Sequence, residues 1–134
     1  MNSTNTELFC WTSNAVSNPS TNYQVEQLNL TCTQTLINMT IIFIIQRAYN
    51  ETHAQQYQTF WNQSTNMTYT TTPTQLTYLW YSLPGMEIVK ESFPHFVEAQ
   101  YFYTSGSVRN TSGDTWQMWL KSIQGGTLYL DGTF

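Results

Sequence analysis

Met39-Thr40-Ile41-Ile42-Phe43-Ile44-Ile45 is the stretch on which the fold turns. Met39, Ile41, Phe43 and Ile45 alternate, so they would share one face of a strand. Ile42 and Ile44 fill the other face, which predicts a central strand covered on both sides. Four Ile in five successive apolar residues favour strand over helix, because β-branched side chains lose rotamer freedom in a helix. The run is far shorter than the ~20 apolar residues that span a bilayer.

The same period of two continues outward. Leu28, Leu30 and Cys32 alternate with polar partners. In Gln75–Ser82, Leu76, Tyr78 and Trp80 face one way while Leu79 and Tyr81 face the other. Further strand-like runs are Tyr57–Trp61, Met67–Thr71, Glu87–Glu91, Phe96–Tyr103, Trp116–Ile123 and Thr127–Leu130. Turn sequences at 83–86, 105–107, 110–114 and 124–126 separate several of them. Arg47–Gln58 is the one segment with helical potential, and its apolar positions are too few to bury a helix face. Recurrence of strands every roughly 8–15 residues predicts a single all-β domain, an antiparallel β-sandwich of about seven to nine strands. The sandwich is expected over residues 25–134. Residues 1–24, polar and largely without periodicity, read as an N-terminal arm or loop.

Only 9% of residues are charged and 16% are aromatic, with a net charge of −4. The aromatic content argues against disorder. The cations Arg47, Lys90, Arg109 and Lys121 are scattered singly. A basic stripe for nucleic acid, or for an anionic membrane surface, is absent from this pattern.

Seven of the 11 Asn residues stand in Asn-x-Ser/Thr sequons: Asn2, Asn29, Asn38, Asn50, Asn62, Asn66 and Asn110. With 33 Ser and Thr in 134 residues, chance placement would give about three. Sequons are read by a secretory glycosylation route, so the expected location is extracellular or at the cell surface. Met1–Thr6 is polar and carries no apolar leader, so on that reading the chain is expected to be a mature form or a fragment. Asn2, Asn50, Asn62, Asn66 and Asn110 fall in tails, linkers or turns and are the expected sugar carriers. Asn38, beside the isoleucine run, is expected to lie within a buried strand. Cys10 and Cys32, an even number in a chain of this type, read as one disulfide pinning the arm onto the sandwich. Two buried free thiols, or bonds to neighbouring subunits, are the alternatives.

Catalytic chemistry finds little support. His53 lies in a polar linker and His95 beside Pro94, and neither has a nucleophile motif nearby. Glu87 and Glu91 would share a solvated strand face, and Asp114 and Asp131 sit in turns where Asp bonds its own backbone. The acids are too dispersed for a calcium site, and two cysteines without a neighbouring His are not a zinc site. No enzyme activity, cofactor or metal is therefore expected.

Aromatic residues carry more information. Trp116 and Trp119 differ by three positions and must face opposite ways in a strand, as must the neighbours Trp80 and Tyr81, and Phe60 and Trp61. A two-sheet sandwich has one inner face per sheet, so several large rings are expected outside and in need of a cover. Trp61, Trp80, Tyr81, Trp116 and Trp119 are the candidate binding or interface aromatics, and the stretch Trp116–Phe134, which carries no sequon, is the first candidate for a working face. The favoured function is a non-enzymatic, secreted, N-glycosylated structural subunit that self-associates into a filament, coat or appendage, in one form by strand addition. The alternative is a carbohydrate-binding module stacking polysaccharide on Trp and Tyr, an analogy of architecture, size and low charge. A third reading is an immunoglobulin-like recognition domain, although the Cys spacing departs from the Cys…Trp…Cys pattern of that family.

Overall fold

Residues 39–45 occupy the middle of the middle strand of the larger of two sheets. The computed structural model describes residues 7–17 and 20–134. Among these residues nine strands follow one another: β1 (Cys10–Ser17), β2 (Tyr23–Cys32), β3 (Leu36–Gln46), β4 (Thr52–Gln58), β5 (Thr65–Thr71), β6 (Gln75–Ser82), β7 (His95–Phe102), β8 (Thr115–Ser122) and β9 (Thr127–Thr133), with one 3-10 turn at Lys90–Ser92. They form a four-stranded sheet, β1-β2-β7-β4, packed on a five-stranded sheet, β5-β6-β3-β8-β9. Every pairing is antiparallel. The protein is an all-β sandwich, as the alternation predicts.

The core is built from the inward set of each strand. Leu28 and Leu30, then Met39, Ile41, Phe43 and Ile45, then Leu76, Tyr78 and Trp80 are buried, as are Val97, Ala99 and Tyr101, and Trp116, Met118 and Leu120. Each of the Val, Leu, Ile, Phe and Met side chains among them contributes about 1.5–3 kcal/mol relative to exposure. The large rings also bridge the layers. Trp80 stacks edge-on against Phe43, with centroids 4.7 Å apart. Its Nε1–H donates to the Tyr57 carbonyl of β4 at 3.0 Å. The Tyr78 hydroxyl donates to the Gln100 carbonyl of β7 at 3.1 Å. A buried polar end needs such a partner, so these bonds fix the two sheets relative to each other.

Several expectations are corrected. Ile42 and Ile44 are half-buried, because among the described residues the outer face of β3 is covered by flanking side chains and no third layer. Tyr57–Trp61 does not continue as a strand beyond Gln58. The chain turns there, and the Trp61 carbonyl accepts from the amides of Ser64 and Thr65. Glu87–Glu91 supplies one isolated bridge, Ile88 to Leu36, before the 3-10 turn takes over. The Lys90 amide bonds the Thr35 hydroxyl there and leaves no ladder to extend. Glu87 and Glu91 are both solvated. At 83–86 the Met86 amide closes on the Leu83 carbonyl, and Gly85 takes the positive φ of 78° that such a turn requires.

Much of the expected arm is part of the sheet. Residues 10–17 pair with β2 in unbroken register from Cys10↔Cys32 to Ser17↔Val25, and the expected boundary at residue 25 falls inside β2. Cys10 and Cys32 are register partners joined by a disulfide, with Cα atoms 4.1 Å apart. The bond lies within one sheet and tethers the edge strand to its neighbour.

In space, β1-β2-β7-β4 facing β9-β8-β3-β6-β5 is the strand arrangement of the variable-type immunoglobulin sandwich. The chain order departs from it. After β3 the chain fills the outer edge of the four-stranded sheet first (β4), then the far edge of the other sheet (β5), and only then the position beside β3 (β6). The Cys10–Cys32 bond lies within one sheet, unlike the cross-sheet disulfide of that sandwich.

Candidate interaction surfaces

Two of the nominated aromatics are core. Trp80 is 0% exposed, and Trp116 is buried against Gly132, where a Cβ would meet the ring at 2.7 Å. Neither can serve as a platform. Tyr81 is half-buried, while Trp61 and Trp119 are open, at 59% and 42%. The two strand pairs divide between faces as parity requires, with Trp116 in and Trp119 out and Trp80 in and Tyr81 out, whereas Phe60 and Trp61 lie beyond the end of β4, where strand parity does not apply.

The pairing rows gather the outward residues of the five-stranded sheet. Tyr81 pairs with Thr40, Thr40 with Trp119, and Trp119 with Tyr129. Trp119 and Tyr129 touch, with centroids 5.1 Å apart and planes tilted by 51°. Leu79 and Ile42 lie one row down, and Ile44 the next. Among the described residues the charges on this face of the five strands are at Lys121 and Asp131, on the β8–β9 side. Trp119 and Tyr129 are not coplanar, so they do not form the flat row that a polysaccharide platform needs.

A second surface lies at one end of the sandwich. Thr59, Phe60, Trp61, Met86, Ile88 and His95 are among the residues lining a cleft of about 640 Å³. His95 here meets Ser92 (Nε2···Oγ 2.7 Å) and Thr59 (Nδ1···Oγ1 3.0 Å). The proton pattern runs against a catalytic dyad. The Ser92 hydroxyl donates to the Val89 carbonyl at 2.6 Å, so it accepts from the histidine. Burial lowers the His95 pKa, partly offset by its hydrogen bonding to Thr59, and the neutral ring acts as a strut. His53 is likewise held by the Tyr78 hydroxyl at 2.9 Å, stacks on Tyr69, and has its pKa lowered by burial.

The third surface is the side of the sandwich where β1 and β9 are the two sheet edges. Leu8, Phe9, Cys10, Leu128 and Leu130 line a groove of about 530 Å³ there. Among the described residues no strand pairs with the outer edge of either β1 or β9. Neither strand carries Lys, Arg or Pro, and Asp131 is their one charge. The opposite side differs. There Gln56 of β4 reaches across to the carbonyls of Thr68 on β5 and Leu79 on β6, at 3.0 and 3.1 Å.

Sequons fall around these surfaces. Asn50, Asn62 and Asn110 are exposed in turns, Asn66 is exposed on β5, and Asn29 is half-buried on the outer face of β2. Asn38 is exposed, contrary to expectation. The register slips between Leu36 and Asn38, so Ile37 and Asn38 both reach the surface. Asn2 lies outside the described residues.

Arg109, which the sequence presents as a lone cation, is the centre of a buried charge cluster. Its guanidinium binds both oxygens of Asp114 and Oε2 of Glu51, and donates to the Gln46 carbonyl at 2.8 Å and the Tyr101 hydroxyl at 2.9 Å. Glu26 Oε2 lies 3.7 Å away. Glu26, Glu51 and Asp114 are all 0% exposed. Burial lowers the Arg109 pKa, but Asp114 and the other partners outweigh it and hold the group protonated. Burial pushes Glu26 well above the usual carboxylate range. The hydrogen bond and charge of Asp114 add to this, against the opposing pull of Tyr101 and Arg109. A protonated Glu26 also resolves a donor shortage. The single Tyr101 proton faces both Gln24 Oε1 (2.8 Å) and Glu26 Oε2 (2.5 Å), and a neutral Glu26 can donate instead. Among the described residues no group of three or more His, Cys, Asp or Glu could hold a metal ion, and no helix is long and apolar enough to cross a membrane.

No family model matches the sequence, and no curated protein matches it. Among solved structures the chain is similar to the cohesin module from the Clostridium perfringens ATCC13124 family 33 glycoside hydrolase. The TM-score is 0.51 at 10% identity, covering 91% of this chain and 92% of that one. The likeness is one of fold.

Sequence reasoning missed Leu128 and Leu130 as groove residues and Tyr129 as the partner of Trp119. Their alternation is visible in Thr127–Thr133, but the edge position of that strand is not.

Proposed function

We propose that this domain is a secreted, N-glycosylated, non-enzymatic sandwich that works by protein contact, associating with copies of itself along the β1–β9 side. One observation carries the reading. That side presents two unpaired strand edges and an apolar groove, and the described residues place neither a guarding cation nor a sequon on either strand. Exposed edges template further strands unless charge, Pro or a covering element blocks them. The sequons instead crowd the sheet faces, the turns and β5, where attached sugar would keep other chains away. The disulfide fits an oxidising compartment.

Size-exclusion chromatography and negative-stain microscopy of the secreted protein test the proposal. Oligomers should form, and Ala15→Lys combined with Thr133→Lys should return them to monomers. Surface changes of this kind alter stability by no more than about 0.5 kcal/mol. A wild type that stays a monodisperse monomer at every concentration sinks the proposal.

A second reading, carbohydrate binding, has the open Trp61 ring at the mouth of the end cleft in its favour. Calorimetry with soluble oligosaccharides decides it: binding that Trp61→Ala abolishes supports it, and no binding by the wild type removes it.

A further inference from the structure

The sequence leads one to expect Asn38 in a buried strand, yet the fold sets it beside the exposed Trp119–Tyr129 pair. Asn38 is opposite Lys121 in the β3–β8 register, and Thr40, the hydroxyl residue of its sequon, is opposite Trp119. Diagonal neighbours across such a pair lie about 7–8 Å apart, within reach of long side chains. Asn38, Thr40, Trp119, Lys121, Thr127 and Tyr129 line one shallow depression of about 390 Å³. The Asn38 Oδ1 accepts from the Ser82 hydroxyl at 3.4 Å, while its Nδ2 makes no hydrogen bond to the described residues. Asn29 and Asn66 differ, for their Nδ2 groups donate to the Ser13 carbonyl and the Tyr81 hydroxyl.

We propose that Asn38 carries an N-linked glycan whose first sugar rests on the Trp119–Tyr129 pair and covers it. The inference rests on the secretory reading above. In the modification, Asn38 Nδ2 bonds to the anomeric carbon of an oligosaccharide carried on a lipid diphosphate. The bond from that carbon to the diphosphate oxygen breaks, the lipid diphosphate leaves, and the amide nitrogen gives up one proton. The sugar's C–H face then packs on the two rings, and the Lys121 ammonium is placed to donate to its hydroxyl or acetamido oxygens. A covalently supplied occupant needs no affinity of its own, which suits tilted rings that are a poor platform for a free polysaccharide. The sugar also shields the sheet face while leaving the in-plane edge of β9 open, so sugar on the face and strand addition at the edge are compatible.

The test is a thermal double-mutant cycle on protein secreted from a eukaryotic host, with glycopeptide mass spectrometry of each sequon. Asn38 should be occupied. Trp119→Ala should lower Tm by about 3 °C more in the Asn38-glycosylated protein than in the Asn38→Gln background, the shift a contact of this size gives. Tyr129→Ala should behave the same way. A bare Asn38 beside occupied sequons overturns the inference and leaves the secretory reading standing. Equal Trp119→Ala shifts in the two backgrounds overturn the seat on the rings. If every sequon is bare, both the inference and the secretory reading fall.

Discussion

Arg109→Met is expected to lower the unfolding free energy by about 3–5 kcal/mol, a large share of the 5–15 kcal/mol typical of a domain. Among the described residues the guanidinium is the one cation paired with the carboxylates of Glu26, Glu51 and Asp114, and its donors also satisfy the Gln46 carbonyl and the Tyr101 hydroxyl. These groups come from β2, the β3–β4 turn, the end of β3, β7 and the approach to β8, so a single side chain ties both sheets together. Removing it strands buried carboxylates without a counter-charge. Urea unfolding monitored by Trp fluorescence reads the loss, and a midpoint within error of wild type would refute this account of the cluster.

The same cluster sets a pH dependence with a definite sign. The folded pKa of Glu26 lies above its unfolded value, so between the two the folded state holds the extra proton. Stability is fully present below the unfolded pKa and falls as pH rises through the folded one. Glu26→Gln keeps a neutral hydrogen-bonding group. It should flatten that slope and raise stability at neutral pH relative to wild type, and an unchanged slope would count against a protonated Glu26.

Loss of the Cys10–Cys32 bond, by reductant or by the double Ser substitution, should cost about 3 kcal/mol, the loop-entropy value for a separation of 22 residues. The effect should be concentrated at β1. Among the described residues that strand has one neighbour, and none of its own residues is fully buried, so apolar contacts alone hold it weakly. Hydrogen exchange should show the amides of residues 10–17 losing protection first. An unaltered melting midpoint, or uniform loss across both sheets, would show that the bond does not act by tethering the edge.

Legibility in the sequence followed the range of the information. Gln75–Ser82 appears with the bounds that its alternation predicts, and the inward set Met39, Ile41, Phe43 and Ile45 is buried. Both facts depend on a period that neighbouring residues carry among themselves. Asn38 misled because a bulge adds one residue against β8 and turns both it and Ile37 outward, and nothing within β3 records which partner strand it faces. Residues 10–17 misled for a similar reason. A solvated edge strand shows little apolar alternation, and its place in the sheet comes from pairing with β2.

By itself, the sequence determined that the protein is a small all-β sandwich with one cysteine pair, little charge, a wealth of sequons and aromatics divided between inner and outer faces. These are properties of composition and of a two-residue period. Only the tertiary structure decided that Arg109 collects three distant carboxylates, that β1 and β9 form the open side, and that Asn38 stands beside Trp119. Each depends on strand order and register. Those are selected by the packing of the whole core, since many strand pairings satisfy the same local alternation and only one buries these rings and pairs these charges together.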